Sequence, residues 1–349
     1  MSDYLTTDAL QFGFKKKSST SHALFVLKSC VDYFVDHRSD VIVTFLDCSK
    51  AFDKVSHSGL FLKLVERNVP LCFTSLLMYW YSNLNFQCKW ESSFSESFSI
   101  PSGVKQGGVL SPHLFNMYMD DLVLLLRKKG IGCHIASQFV ACILFADDLC
   151  LMAPSRKAMQ SMLNICVDYC HEFCLTFNAS KSKSMLIGKR HDQHLPSLFI
   201  NEQPIEFVTE WKYLGATVLG GKTISFSAKK DLSNFYASFN SLYNVYTRPS
   251  EPIMMYLLYT NCVPSLTYAA EIKSFSASEM SKCNTALNNA IRRIFGFNQW
   301  ESIRTLRTEM GYSDIYTMFE SRKRSFFSKL MNSDNQLLKL LLSVRDSVV

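Results

Sequence analysis

Val41 to Asp47 reads VIVTFLD, a run of apolar and β-branched residues that ends in a single carboxylate. Six such residues without polar alternation predict a central strand that is buried on both faces. Asp47 would then stand at the tip of that strand, where its side chain can reach solvent. The rest of the fold can be worked out from this strand.

Two further apolar runs, Phe139 to Phe145 and Leu149 to Met152, are separated by Ala146, Asp147 and Asp148. This pattern predicts a β-hairpin with two carboxylates on its tight turn. Each aspartate could merely cap a turn, as most do. However, both acidic sites end strongly apolar strands, where an unpaired carboxylate is costly. We therefore expect Asp47, Asp147 and Asp148 to converge as oxygen ligands for Mg²⁺, a platform suited to phosphoryl transfer.

A glycine-containing loop precedes the most clearly delimited helix. Ser111 is predicted as its N-cap, with Pro112 in the first turn, and Arg127 to Gly130 closes it with cations and a C-cap glycine. Other helices are predicted over residues 23–34, 58–67, 70–82 and 155–174, and a helical subdomain is predicted from Ser227 through a stripe ending at Tyr246 and onward. Strands are predicted as a pair within 94–100, at 184–187, and as a hairpin of 205–208 with 213–218.

Five segments in order resemble the successive palm motifs of reverse transcriptases, most closely those of non-LTR retrotransposons. They are FLDCSKAFD (45–53), PSGVKQGGVLSPHLFNMY (101–118), FADD (145–148), FNASKS (177–182) and WKYLG (211–215). The resemblance implies an α+β fold, a right-hand polymerase whose palm is a central antiparallel sheet with packed helices, followed by a helical thumb-like region. It assigns residues 1–40 to part of the fingers and the fingers-to-palm junction, 41–220 to the palm and 221–349 to the thumb and a C-terminal extension.

The resemblance also assigns roles to individual residues. It makes the three aspartates the ligands of two Mg²⁺ ions, with Mn²⁺ as a possible substitute. It places Lys181 near the triphosphate and puts Phe52 under the sugar, where a ring excludes a 2′-hydroxyl and selects deoxynucleotides. The nucleotide and template would contact Gly103, Gln106 and Gly107, and the primer grip would be Trp211, Leu214 and Gly215. Simpler alternatives are a buried helix start at Phe52, a solvated Lys181, an ordinary turn in the loop, and hairpin core at 211–215.

Composition is compatible with these roles without deciding them. The chain has 349 residues, 37 Lys and Arg against 30 Asp and Glu, 48% hydrophobic residues and 19% charged residues. This excludes a disordered protein, and the +7 charge suits a polyanionic partner. Expected partners are an RNA template, a DNA primer and deoxynucleoside triphosphates, while the oligomeric state is open. Twelve cysteines without a CxxC pair or an N-terminal signal segment favour an intracellular protein, in the nucleus or cytoplasm.

Two uncharged stretches, 71–88 and 252–270, approach membrane-spanning length, but interrupting polar residues predict buried core helices and no membrane span. Two other functions compete with the polymerase. One is a catalytically inactive nucleic-acid-binding remnant of a retrotransposon, and the other is a group II intron maturase-like protein. Lys15 to Ser18 (KKKS) stands where related chains often have an arginine-containing loop, and we expect fingers that are incomplete.

Overall fold

The computed structural model describes residues 2–244 and 249–346. The chain divides into two compact units between Thr209 and Glu210. Each unit has its own sheet and its own helices.

The first unit contains five α-helices in its described part, with short 3₁₀ turns at Ser2–Leu5 and Ala51–Lys54. The helices are α1 (Thr20–Asp36), α2 (His57–Glu66), α3 (Leu71–Ser82), α4 (Ser111–Lys129) and α5 (Arg156–Glu172). The strands are β1 (Val41–Leu46), β2 (Asn85–Phe86), β3 (Lys89–Trp90), β4 (Ser93–Phe94), β5 (Phe98–Ser99), β6 (His134–Ile135), β7 (Gln138–Phe139), β8 (Cys142–Phe145), β9 (Asp148–Ala153), β10 (Lys183–Ile187), β11 (Leu198–Ile200) and β12 (Gln203–Phe207).

Six of these strands form the central sheet, in the order β11, β12, β10, β1, β9, β8. All six residues of β1 are buried, which confirms the predicted central strand and its bounds. Neighbouring strands are antiparallel except β10 and β12, which are parallel. The fold class is therefore α+β as predicted, with a mixed sheet rather than a wholly antiparallel one.

Helix α4 ends as predicted but begins differently. Gly130 caps its C-terminus at φ +63°, a left-handed conformation that glycine adopts without steric cost. Leu110, and not Ser111, occupies the N-cap position. The Ser111 hydroxyl donates instead to the carbonyl of Lys105 and so closes the glycine loop that precedes the helix.

Helix α3 contradicts the prediction of a buried core helix over the uncharged stretch 71–88. Only Thr74, Leu77 and Tyr81 of this helix are buried, on one face at helical spacing. The other faces expose apolar side chains, among them Leu71, Leu76 and Tyr79. The sequence is uncharged all round, so its composition did not reveal that only one face would pack.

The second unit is a small sheet followed by helices. Its strands are β13 (Glu210–Tyr213), β14 (Ala216–Leu219) and β15 (Ser225–Phe226), and its helices are α6 (Ala228–Tyr243), α7 (Glu251–Leu257), α8 (Val263–Thr267), α9 (Ala277–Phe295), α10 (Arg304–Glu309), α11 (Ile315–Met331) and α12 (Gln336–Asp346). A π-helical turn at Leu258–Cys262 joins α7 to α8 just before Pro264, which cannot donate a backbone hydrogen bond. Tyr246, the end of the predicted stripe, lies outside the described residues.

The core of this unit confirms the predicted helical subdomain, and the stretch 252–270 contributes to that core as expected. Phe235, Leu258, Leu266, Leu287 and Phe319 are fully buried within it. None of the helices in the described ranges is long and apolar enough to cross a membrane.

The predicted hairpin of 205–208 with 213–218 is wrong. Residues 203–207 form β12, which pairs with β10 and β11 in the central sheet. The hairpin consists of β13 and β14, with Tyr213 opposite Ala216. The apolar pattern identifies β12 as a strand but does not specify its partners, of which β11 directly precedes it and β10 lies further away in the sequence.

Candidate active site

The three predicted carboxylates lie at the same end of neighbouring central strands. In the β1–β9 register Leu46 faces Leu149, so the next step places Asp47 opposite Asp148. Side chains directly opposite each other in an antiparallel pair lie on the same face of the sheet. Asp147 occupies the two-residue turn between β8 and β9, beside Asp148.

The turn itself is tightly held. Ala146 has φ +57°, the positive value that tight hairpin turns require of a central residue. A side chain on Gly13 would come within 2.4 Å of the Ala146 backbone nitrogen, so only glycine fits there. The flanking N-terminal segment hydrogen-bonds to β8 from Phe12 N to the Leu144 carbonyl at 2.8 Å. The sequence alone did not indicate a role for Gly13, because a single glycine between two phenylalanines is not a specific pattern.

The electrostatics of this site are those of uncompensated like charges. Partial burial raises the pKa of Asp147, and the Asp47 carboxylate adds to the rise. Partial burial, Asp147 and Asp47 together raise the pKa of Asp148 to about 6. No ion pair to these three side chains occurs within residues 2–244 and 249–346. In the same ranges no three His, Cys, Asp or Glu side chains are positioned to hold a single metal ion together.

The FNASKS turn is bonded to the backbone of Asp47 from both sides. Asp47 N–H donates to Ser182 Oγ at 3.2 Å, and Asn178 N–H donates to the Asp47 carbonyl at 2.9 Å. Ser182 Oγ donates in turn to the Asn178 carbonyl at 2.7 Å. The Asn178 side-chain oxygen also accepts from the backbone of Ser180 and Lys181, forming an Asx-type turn. Lys181 is exposed on this turn, and sequence reasoning singled it out while missing Asn178 and Ser182.

Phe52 and the glycine loop are brought together. Val104 N–H donates to the Phe52 carbonyl at 2.9 Å, and Gln106 Nε2 donates to Asp53 Oδ1 at 2.9 Å. The Phe52 ring is half-buried and stacks on Phe115 with centroids 4.2 Å apart. The loop therefore holds the backbone of Phe52, and Phe115 of α4 supports its ring.

Different structural constraints apply at the two glycines of the loop. Gly103 has φ +94°, and a Cβ there would meet the Asp53 backbone at 2.9 Å. Gly107 has φ +81° but open space around it, so its backbone is free for another molecule to approach. The loop and the base of the β2–β5 hairpin also line a cavity of about 300 Å³ that includes Asp53, His57 and Phe86.

The predicted primer-grip residues belong to the second unit. Leu214 (φ +45°) and Gly215 (φ +79°) form the turn between β13 and β14, and positive φ at both residues is typical of a type I′ turn. Tyr268 Oη donates to the Leu214 carbonyl at 2.5 Å, and a Cβ on Gly215 would meet that hydroxyl oxygen at 3.0 Å. Trp211 is half-buried on β13. The structure therefore braces this turn firmly within its own unit.

Comparison with known proteins agrees with the motifs. Residues 4–218 match the family described as reverse transcriptase (RNA-dependent DNA polymerase). The Pol polyprotein from the type-2 retrotransposable element R2DM of Drosophila melanogaster is 25% identical over 295 residues, which are 82% of this chain and 27% of that protein. The RNA-directed DNA polymerase of the mobile element jockey of Drosophila funebris is 22% identical over 345 residues, 95% of this chain and 37% of that protein.

A probable RNA-directed DNA polymerase from transposon X-element of Drosophila melanogaster is similar at 23% identity, over 95% of this chain and 37% of that protein. The chain thus spans roughly a quarter to two fifths of the length of these three relatives. Among solved structures, apo telomerase from Candida tropicalis superposes with a TM-score of 0.48 at 9% identity, covering 95% of this chain and 57% of that one. The family match covers more than half of the chain, which belongs to the reverse transcriptase (RNA-dependent DNA polymerase) family.

Proposed function

We propose that this chain is the RNA-directed DNA polymerase module of a non-LTR-type retrotransposon, extending the 3′-hydroxyl of a DNA primer with deoxynucleotides on an RNA template. The observation that carries the proposal is the group of Asp47, Asp147 and Asp148 at one end of the central sheet. Three adjacent carboxylates without a compensating cation in the described residues are unfavourable unless something positive binds there.

The donor set fits two divalent ions. Mg²⁺ prefers oxygen ligands and keeps positions for water and substrate phosphates, and Mn²⁺ accepts similar ligands. The raised pKa values of Asp147 and Asp148 indicate that positive charge near them would be favourable. When bound, such ions lower the charge on the reacting phosphate and align the primer oxygen for in-line attack. We assign Asp47, Asp147 and Asp148 as the residues that would hold them.

The neighbouring residues of the chain position these carboxylates and the nucleotide. The turn containing Asn178 and Ser182 fixes the backbone of Asp47, and it presents Lys181, which we propose contacts the triphosphate. Phe52, supported by Phe115, would pack against the sugar. The open backbone at Gly107 and the amide of Gln106, with Gly103 shaping the loop, would face the nucleotide and template.

We also propose the division of the polymerase hand. Residues 1–40 would form part of the fingers and their junction with the palm, residues 41–220 the palm, and residues 221–349 the thumb and its extension. Within this division Trp211, Leu214 and Gly215 would form the primer grip. That hairpin packs within the second compact unit, which begins at Glu210.

Primer extension tests the proposal. The purified chain is given oligo(dT) annealed to poly(rA), dTTP and Mg²⁺ or Mn²⁺, and compared with Asp147→Asn and Asp192→Asn. Asp192 is an exposed carboxylate beyond β10, and the β1–β10 register puts this end of β10 opposite Val41, away from Asp47. We expect extension by the wild type and by Asp192→Asn, and none by Asp147→Asn.

Extension by Asp147→Asn would overturn the assignment of the carboxylates. A wild-type chain that binds the primer–template duplex but extends it with neither metal would favour the inactive nucleic-acid-binding remnant instead. Binding is therefore measured in the same samples by fluorescence anisotropy of a labelled primer.

A further inference from the structure

The loop between α9 and α10 in the second unit holds a tryptophan out in solvent. Trp300 is 76% exposed, and within the described ranges it has no hydrogen-bond or aromatic partner. A single exposed apolar residue is ordinary on protein surfaces. This one stands on a loop whose backbone is fixed and whose surroundings are cationic, and those two features together call for a ligand.

Hydrogen bonds fix the loop on both sides of the ring. Asn298 Nδ2 donates to Glu301 Oε1 at 2.6 Å, and the Glu301 N–H donates to the Asn298 carbonyl at 3.1 Å. At the base of the loop Arg292 Nε donates to the Glu301 carbonyl at 2.9 Å, and Phe297 N–H donates to the Arg292 carbonyl at 2.9 Å. Trp300 lies between these anchored residues, so the backbone that carries it has little conformational entropy left to lose on binding.

The charge around the loop is positive. Between Asn289 and Glu309 the sequence has four arginines and two glutamates. Glu301 Oε1 accepts from the backbone and the side chain of Asn298. Arg304 is exposed at the end of the loop, whereas Arg293, also exposed, already donates to Asn240 Oδ1 at 3.0 Å and lies 4.3 Å from the Tyr243 ring centroid. An exposed aromatic ring and an exposed arginine in the same loop are a combination that can stack a base and contact its phosphate.

We propose that residues 296–304, which we name the Trp300 loop, form a contact site for single-stranded nucleic acid. Trp300 would stack on an unpaired base, and Arg304 would face an adjoining phosphate. Stacking of this kind is tolerant of base identity, since every base has a flat aromatic face. The inference rests on the proposed function only for its partner class, and it names a site in the second unit separate from the carboxylates.

Trp90 supplies a matched control. Its side chain is 80% exposed, more than that of Trp300, and it lies on the short β3–β4 hairpin of the first unit. Its immediate neighbours are Lys89 and Glu91, which cancel in charge. If exposure alone were enough to bind nucleic acid, Trp90 would contribute as much as Trp300.

The test measures binding of a dye-labelled 20-nucleotide oligo(dT) by anisotropy to the full chain, in EDTA and without nucleotides. We expect Trp300→Ala to weaken binding at least about 10-fold, Trp300→Phe to retain most of the affinity, and Trp90→Ala to leave it unchanged. Arg304→Ala should reduce the slope of log affinity against log salt by about 0.7. Because Trp300 is exposed, an unchanged melting temperature should accompany these losses.

Equal affinity of Trp300→Ala and wild type would overturn the proposal, as would equal losses from Trp90→Ala and Trp300→Ala. Wild-type primer extension alongside no effect at Trp300 would reject this site and leave the polymerase proposal standing. If binding depends on Trp300 but the wild-type chain extends no primer, the Trp300 site would stand and the polymerase proposal would be rejected. Asp192→Asn, at an exposed carboxylate of the first unit, should bind the oligonucleotide as the wild type does.

Discussion

Two Asp-Asp pairs in the first unit have the same sequence and opposite surroundings. Asp147 and Asp148 lie at the end of the sheet with no cation bound to them in the described residues. Asp120 and Asp121 lie within α4, where Arg67 donates to both at 2.9 and 3.0 Å and Lys63 donates to Asp121. What differs between them is whether a cation lies within reach.

The compensated pair is part of the scaffold. Burial raises the pKa of Asp120, while the hydrogen bond from Arg67 opposes that rise. Burial lowers the pKa of Lys63, whose ammonium donates to Tyr169 Oη at 3.0 Å and lies 3.7 Å from the Phe173 ring centroid. A buried charge needs such partners, and removing one leaves the other stranded. The pair Asp147 and Asp148 has no such partner in the described residues, and we propose that a bound cation offsets the cost of its charge.

Breaking the compensated pair should have the largest effect on stability. Asp120 is only 3% exposed, so Arg67→Met would leave its carboxylate buried without its guanidinium. We expect a loss of about 3 kcal/mol in the free energy of unfolding, measured by urea denaturation. Asp192→Asn, at an exposed carboxylate, should change it by less than about 0.5 kcal/mol.

The double variant Arg67→Met with Asp120→Asn should recover a large part of that loss, since the remaining buried charge, Lys63, keeps its partner Asp121. If Arg67→Met alone costs no more than the surface control, the Asp120 pair is not compensated in the way proposed, and the contrast between the two Asp-Asp pairs collapses.

Aromatic rings accompany both pairs and should also differ in role. The rings near Lys63 pack around a buried cation, whereas Phe52 is half-buried and stacked on Phe115 beside the glycine loop. If Phe52 excludes a 2′-hydroxyl, Phe52→Val should raise the ratio of UTP to dTTP incorporation on poly(rA) at least about 10-fold. Phe61→Val removes an equally half-buried ring from α2 and should leave the ratio unchanged. If Phe52→Val lowers the UTP and dTTP incorporation rates equally, so that their ratio is unchanged, Phe52 would contribute only to core packing.

A smaller effect is expected at the turn that holds Asp47. Ser182→Ala removes the acceptor for the Asp47 N–H and should lower kcat for dTTP incorporation about 10-fold with little change in KM, because a displaced carboxylate impairs chemistry more than binding. Ser182→Thr should restore most of it. Ser184→Ala, two residues along β10, loses only a bond to Thr44 and should leave kcat unchanged. Equal losses from Ser182→Ala and Ser184→Ala would assign both to stability alone.

The sequence predicted those parts of the molecule in which local pattern and burial agree. The run 41–46 could only be a central strand, and the cations and Gly130 fixed the end of α4. Asp147 and Asp148 followed from two apolar runs with a short gap. The Asp120–Asp121 pair carried no such signal, because its cations come from α2, more than 50 residues away.

Errors arose where the partner of an element decides its role. Residues 203–207 have the pattern of a hairpin strand, but they form β12, which pairs with β10. Helix α3 is apolar on every face, so its sequence could not show which face would be covered. Asn178 and Ser182 are ordinary turn residues until the fold brings Asp47 to them. Such roles depend on contacts between distant segments, which periodicity does not record.

The smallest expected effect is the pH dependence of stability that Asp148 contributes. The pKa of Asp148 is raised to about 6 in the folded chain, above its value in an unfolded chain. A raised folded pKa means that this group favours the fold below about pH 4 and that the benefit is lost as the pH rises through 6. Asp148→Asn should therefore melt at the same temperature as the wild type near pH 4.5 and slightly higher at pH 7, when both are measured in EDTA. Adding Mg²⁺ at pH 7 should raise the wild-type melting temperature and close this gap, since a bound cation removes the repulsion. A variant Asp148→Asn that is less stable than the wild type at pH 7 would place Asp148 with the scaffold and remove the electrostatic argument for a metal site.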